Sequence, residues 1–157
     1  MGRTLSVVAL LIAFVALGLG GWLTRYPETF RPSADKTFSE QQRAEAKTEA
    51  CTAYNLVSSG VFENTNRQSP GPPEDVVAGM AVVANAKVAL VEGGQYLHAK
   101  VVPATPPELA DALQRFGDAL MQIGAGANAG VLDTDPGQAE LFKNADTVNN
   151  EIKAICG

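Results

Sequence analysis

The longest apolar run in the chain comes first. After Met-Gly-Arg-Thr, LSVVALLIAFVALGLGGWL (Leu5 to Leu23) carries no charged residue. As a helix rising about 1.5 Å per residue it would reach roughly 28 Å, one hydrocarbon core. The pattern predicts a transmembrane signal anchor over residues 1–24, with Trp22, Arg25 and Tyr26 at the membrane interface, where aromatic and cationic side chains meet the headgroups. A cleaved signal peptide, cut near the small residues Ala16 and Gly18, is the competing reading. Ala9, Ala13, Ala16 and Gly20 fall on one helical face, a stripe smooth enough for a second membrane helix to approach. The plain alternative is that alanine and glycine are simply common in such helices. Arg3 before the run against Arg25, Arg31 and Lys36 after it would, counted literally, place the C-terminal side in the cytoplasm. The signal-anchor pattern and the cysteines discussed below favour the opposite orientation.

Residues 25–38 hold two prolines and mixed charge and read as a juxtamembrane linker, leaving residues 39–157 as the folded domain. There the pattern changes to helical spacing four times. Ser39 followed by Gln42 predicts a capped start, and Cys51, Tyr54, Val57 and Val61 an inward face. NTNRQSPGPPED interrupts. A second helix is expected from about Glu74 to Val101, facing inward with Val77, Met80, Ala84, Val88 and Val91, and with Gly93-Gly94 providing a kink or a close contact with a neighbour. The third helix is expected to start at Thr105 as N-cap with Pro106 at N1 and Glu108 at N3. It should bury Leu109, Leu113, Phe116, Leu120 and Ile123 and fray through GAGANAG. Asp135 as N-cap, Pro136 at N1 and Gln138 at N3 open the fourth, which turns Phe142, Ala145, Val148, Ile152 and Ile155 inward. The fold class is all-α: one N-terminal transmembrane helix, then an antiparallel up-down-up-down four-helix bundle.

Composition sharpens this picture. Apolar residues make up 46% of the chain and aromatics 6%, so the core must be built largely of small aliphatic side chains, which suits close helix packing. A formal charge of -5 argues against nucleic acid as a partner, because phosphate binding requires a concentrated basic face. Two cysteines stand far apart, at Cys51 and Cys156. In the predicted topology the first and last helices run antiparallel, so the two sulfurs can meet and close a loop of roughly 100 residues. A structural disulfide implies an oxidising compartment, whereas two buried free thiols would fit a cytosolic domain. If Cys51 marks the end of the fourth helix, Ser39 to Ala50 project as a polar stalk toward the membrane; otherwise they pack on the end of the second helix.

The remaining motifs carry little chemistry. GAGANAG has dinucleotide-like glycine spacing but closes a helix instead of opening one. Asp133 and Asp135 have calcium-loop spacing, yet the twelfth position would be Asn144. His98, the only histidine, has no partner pattern for a triad or a metal, and Glu92, Asp111 and Asp118 read as solvated helix-face charges. Neither a cofactor nor a metal is expected.

The run VVANAKVALVEGGQYLHAKVVPATPPELADALQRFGDAL, with EACTAYNLV before it and the terminal cysteine after, resembles the extracytoplasmic part of the alanine-rich (often alanine- and proline-rich) membrane proteins of mycobacteria. The resemblance spans roughly residues 44–156. It implies a helical envelope domain with no catalytic residues to transfer. Many members carry a proline-rich cytoplasmic segment ahead of the membrane helix; no such segment precedes the apolar run here, so an intracellular signalling role is not expected. The expected function is a non-enzymatic, membrane-anchored accessory or scaffolding subunit, meeting the bilayer through residues 5–23 and an integral membrane protein as partner. The alternative is a module binding an apolar or lipid-like envelope ligand between its helices.

Overall fold

Ser39 is the N-cap of the first helix, and its bonds are reciprocal. Its hydroxyl accepts from the Gln42 N–H at 3.2 Å while the Gln42 side-chain oxygen accepts from the Ser39 N–H at 2.9 Å, satisfying two donors that a helix start leaves free. The computed structural model describes residues 37–72 and 74–157. The anchor Leu5 to Leu23, the stripe Ala9, Ala13, Ala16 and Gly20, the interface set Trp22, Arg25 and Tyr26, and nearly all of the linker lie outside the described residues. Within them are four helices, α1 (Glu40–Thr65), α2 (Val76–Lys100), α3 (Pro107–Asn128) and α4 (Pro136–Cys156), and no strand.

The buried face of α1 is Ala46, Ala50, Ala53, Tyr54 and Val57, so small residues carry most of it. Cys51 and Val61 sit at its edge, partly buried against the core. Because Ala46 and Ala50 are buried, the polar projection expected over Ser39 to Ala50 is confined to Ser39–Glu45.

The second helix turns a different face inward from the one its spacing suggested. Asp75 caps it, accepting from the Ala78 N–H at 2.9 Å. Leu90, Gly94 and Leu97 are buried, whereas Val77 is 78% exposed, Met80 67% and Val88 59%. Ala84 is exposed as well, and Val91 only partly buried. The physical reason is that nearly every position in the first half of α2 is apolar, so periodicity there cannot choose a side.

The choice is made further along, by glycine. A Cβ at Gly94 would lie 2.5 Å from the Gly117 carbonyl oxygen, and one at Gly117 would lie 2.9 Å from the Gly94 carbonyl oxygen. The α2 and α3 backbones therefore touch directly, and no larger residue fits between them. One heptad on, a Cβ at Gly124 would meet the Val91 side chain at 2.6 Å and Leu90 at 3.3 Å. Gly93-Gly94 thus serve a close helix contact, and α2 runs through both without interruption.

Two expected caps are corrected. The start of α3 is shifted one residue: Pro106 is the N-cap and Pro107 occupies the first turn, because a residue before proline is driven out of the helical region. Thr105 is buried and its hydroxyl faces backward, accepting from the Val102 N–H at 3.1 Å. Asp135 holds the N-cap position of α4, yet its carboxylate makes no forward bond and accepts instead from the Leu132 N–H at 3.0 Å. Gln138, expected to complete that cap, is buried and donates to the Ile123 carbonyl oxygen of α3 at 3.0 Å. The third helix does not fray through GAGANAG but continues to Asn128, where Gly130 at φ 83° turns the chain and the Val131 N–H reaches back to the Gly126 carbonyl at 3.0 Å.

The inward residues of α3, Leu109, Leu113, Phe116, Leu120 and Ile123, are all buried. On α4 Ala145, Val148 and Ile152 are buried and Phe142 and Ile155 pack partly against the same core. Each helix packs on the next along the chain, whereas α1 and α4 meet at few points. One of those points is covalent: Cys51 and Cys156 form a disulfide with their Cα atoms 5.6 Å apart.

The glycine seam makes a direct prediction. Gly94→Ala should lower the unfolding free energy by about 1–3 kcal/mol through overpacking. Gly60→Ala, in α1 with nothing near its added Cβ, should raise it by about 0.5–1 kcal/mol. Urea denaturation of both variants checks this, and a Gly94→Ala protein as stable as Gly60→Ala would rule out the backbone contact.

Candidate functional site

Of the residues singled out by sequence, the structure brings together Cys51 and Cys156, and no free cysteine is present among the described residues. One turn further along α1, the Tyr54 hydroxyl donates to the Asn149 side-chain oxygen at 2.6 Å, with the Asn149 carbonyl oxygen 3.2 Å away. Stepping forward on α1 from Cys51 to Tyr54 thus means stepping back on α4 from Cys156 to Asn149. Tyr54 is buried and meets the Phe116 ring edge-on, the centroids 5.9 Å apart. Burial pushes its phenol above the ordinary value of 10.0, and a hydrogen bond with Ser58 works in the opposite direction.

Among the described residues, ion pairs centre on His98 and Arg115. His98 lies 3.3 Å from the Asp118 carboxylate and 3.2 Å from the Gln114 carbonyl oxygen. Arg115 donates to Asp111 at 2.8 Å and to Glu151 at 2.6 Å, joining α3 to α4. The Glu151 hydrogen bond, then the one to Asp111, raise the Arg115 pKa further, so the group stays charged. Asp111 and Asp118 are taken up in these pairs, whereas Glu92 borders a different feature, the groove along α2. Among the described residues no group of three or more His, Cys, Asp or Glu side chains gathers at metal-binding range.

What stands open is the outer face of α2. Of the described helices it alone is long and apolar enough to cross a membrane, and only 6% of its most apolar window is buried. From Val76 to Val91 the single charged residue is Lys87. Val76, Val77, Met80, Val83 and Val88 are exposed on this stretch. Together with the preceding loop and Asn128 of α3, part of that face walls a groove of about 880 Å³. Sequence reading assigned Val77, Met80 and Val88 of this face to the core. The signal that could have found the surface was their excess: too many apolar positions per turn for one inward stripe.

No family model, curated protein or solved structure matches this chain.

The Tyr54 site predicts a pH dependence. A phenol whose folded-state pKa is raised contributes stability that is complete below pH 10 and is lost as pH rises from 10 through the raised value. Tyr54→Phe should cost about 1 kcal/mol at pH 7, the ordinary net worth of a hydrogen bond, and should lose less stability than wild type on going to high pH. Urea midpoints at neutral and alkaline pH measure both, and parallel losses would show that the phenol is not strained by burial.

Proposed function

We propose that this protein is a non-enzymatic accessory or scaffolding subunit of a membrane complex, belonging with the alanine-rich membrane proteins of mycobacteria that it resembles. Residues 5–23 anchor it in the bilayer. The domain after the linker faces the extracytoplasmic side as an antiparallel up-down-up-down bundle, and α2 docks on an integral membrane protein. The observation that carries this reading is the open apolar face of α2. A surface helix of a water-facing domain normally shows one apolar stripe and a charged opposite side; α2 instead leaves valines and a methionine in solvent over its first half. Contiguous apolar patches of that kind mark contact surfaces.

Two further observations support the reading. The Cys51–Cys156 bond suits an oxidising compartment outside the cytosol. The reversed stepping of contacts between α1 and α4, and of Leu90, Gly94 and His98 on α2 past Gly124 and Gly117 on α3, suits antiparallel neighbours. The occupant of α2 is taken to be an integral membrane protein because the face has a membrane helix's own composition, valine, alanine and glycine with one lysine.

Detergent extraction of the tagged full-length protein should recover a stoichiometric integral membrane partner. The double variant Val77→Asp and Met80→Asp changes only exposed side chains; it should keep the wild-type circular dichroism and lose that partner. Wild-type protein recovered alone, or a partner retained equally by the variant, would overturn the proposal.

A further inference from the structure

The first half of α2 outruns its neighbours. Gly124 of α3 stands against Lys87, Leu90 and Val91, and α3 ends four residues later at Asn128. Gly93 of α2 stands against Val57 and Val61 of α1, which ends at Thr65. At about 1.5 Å per residue neither neighbour extends far past the level of Val83. Val76 to Val83 therefore project, and the groove of about 880 Å³ runs from there to Glu92.

This face is complementary to itself. Val76, Met80, Val83 and Lys87 line the groove at intervals of 4, 3 and 4 residues, one stripe on the helix surface. Such a stripe has the same spacing in either direction. Two copies of α2 laid antiparallel, with a two-fold axis between Ala81 and Val82, set Met80 against the second copy's Val83 and Val76 against the second copy's Lys87. Gly79 then meets the second copy's Ala84, small residue on small residue, and a Cβ on Gly79 would touch nothing of its own chain within 4 Å.

Charge selects the same arrangement. The ionised side chains of the groove are Asp75, Lys87 and Glu92. Lys87 is in none of the ion pairs found among the described residues. In the antiparallel pair each Lys87 comes beside the second copy's Asp75, so the contact forms twice. Asp75 holds the Ala78 N–H with one carboxylate oxygen and has the other to offer. Glu92 falls beyond the start of the second copy's helix. A parallel pair would bring Lys87 to Lys87 and Asp75 to Asp75, like charge on like. An uncharged foreign helix would cover both groups and give them no partner.

Resting on the docking role proposed above, we infer that the integral membrane protein on α2 is a second copy of this chain, paired antiparallel through Val76, Met80, Val83 and the Asp75–Lys87 contacts. The second copy brings its own residues 5–23, and its α2 has the valine, alanine and glycine composition that the face calls for.

The test is photo-crosslinking of the full-length protein in native membranes, with p-benzoylphenylalanine in place of Met80 or, separately, of Val76. Two differently tagged copies, only one carrying the probe, separate adducts between copies from those within one. The Met80 probe should join two copies and attach near the second copy's Val83, and the Val76 probe should attach near the second copy's Lys87. Lys87→Glu sets a carboxylate beside the second copy's Asp75 and should cut the yield of joined copies by about tenfold with the circular dichroism unchanged, whereas Lys87→Arg should keep it. Adducts of the Met80 probe with a different protein would overturn the self-pairing and leave the docking role standing; adducts with no protein at all would overturn both. Copies joined Val76 to Val76, or a full yield from Lys87→Glu, would also overturn the pairing.

Discussion

Cys51 and Cys156 are 105 residues apart in the chain with Cα atoms 5.6 Å apart in space, and the bond between them joins two helices whose backbones otherwise approach each other at few points. The other neighbours, α1 with α2, α2 with α3 and α3 with α4, are consecutive in the chain and share broad packed faces. The first and last helices are joined by the disulfide and the Tyr54–Asn149 hydrogen bond, and both add buried side chains to the one core, Ala50 and Tyr54 from α1, Val148 and Ile152 from α4. In the chain-entropy picture, closing a loop of about 100 residues contributes up to about 4.7 kcal/mol. That is a large part of the roughly 5–15 kcal/mol by which a domain exceeds its unfolded state. The same bond sets where α1 and α4 are held close, and hence where they are free to diverge. Past the disulfide and the Tyr54–Asn149 hydrogen bond, a cleft of about 420 Å³ bordered by Phe62 and Phe142 opens between α1 and α4.

A second constraint acts at right angles to this one, through absence of side chains. Gly94 and Gly117 bring the α2 and α3 backbones into contact, and Gly124 admits Val91. Once those glycines are seated, the rotation of α2 about its axis is fixed. Leu90 and Leu97 go inward, and the valines of the first half are carried outward. The exposed face is thus produced by a packing demand farther along the same helix.

Much of the architecture could be read from residue order, and the failures are specific. The faces of α3 and α4 were legible because their apolar residues recur at helical spacing among polar ones. Ser39 with Gln42 was legible because a capping box is a local device. The disulfide was legible because the predicted antiparallel course of the first and last helices brings both cysteines to one level. On α2 the pattern lacked contrast: Val77, Met80 and Val88 look like core when every neighbour is apolar, and only the partner helix decides. Thr105 and Asp135 have the chemistry of caps, but the prolines after them and the turns before them gave their oxygens nearer donors at Val102 and Leu132. The α1–α4 cleft left no mark in either helix alone, since it arises from how far apart two correct helices stand.

The central claim is that the Cys51–Cys156 bond, more than packing, keeps α4 on α1. Hydrogen–deuterium exchange of the full-length protein, oxidised and then reduced, measures this segment by segment. The account predicts that reduction strips protection from α4 and from α1 beyond Cys51, while the α2–α3 seam around Gly94 and Gly117 keeps its slow exchange. Unchanged protection in α4 after reduction, or an equal loss in all four helices, would contradict it.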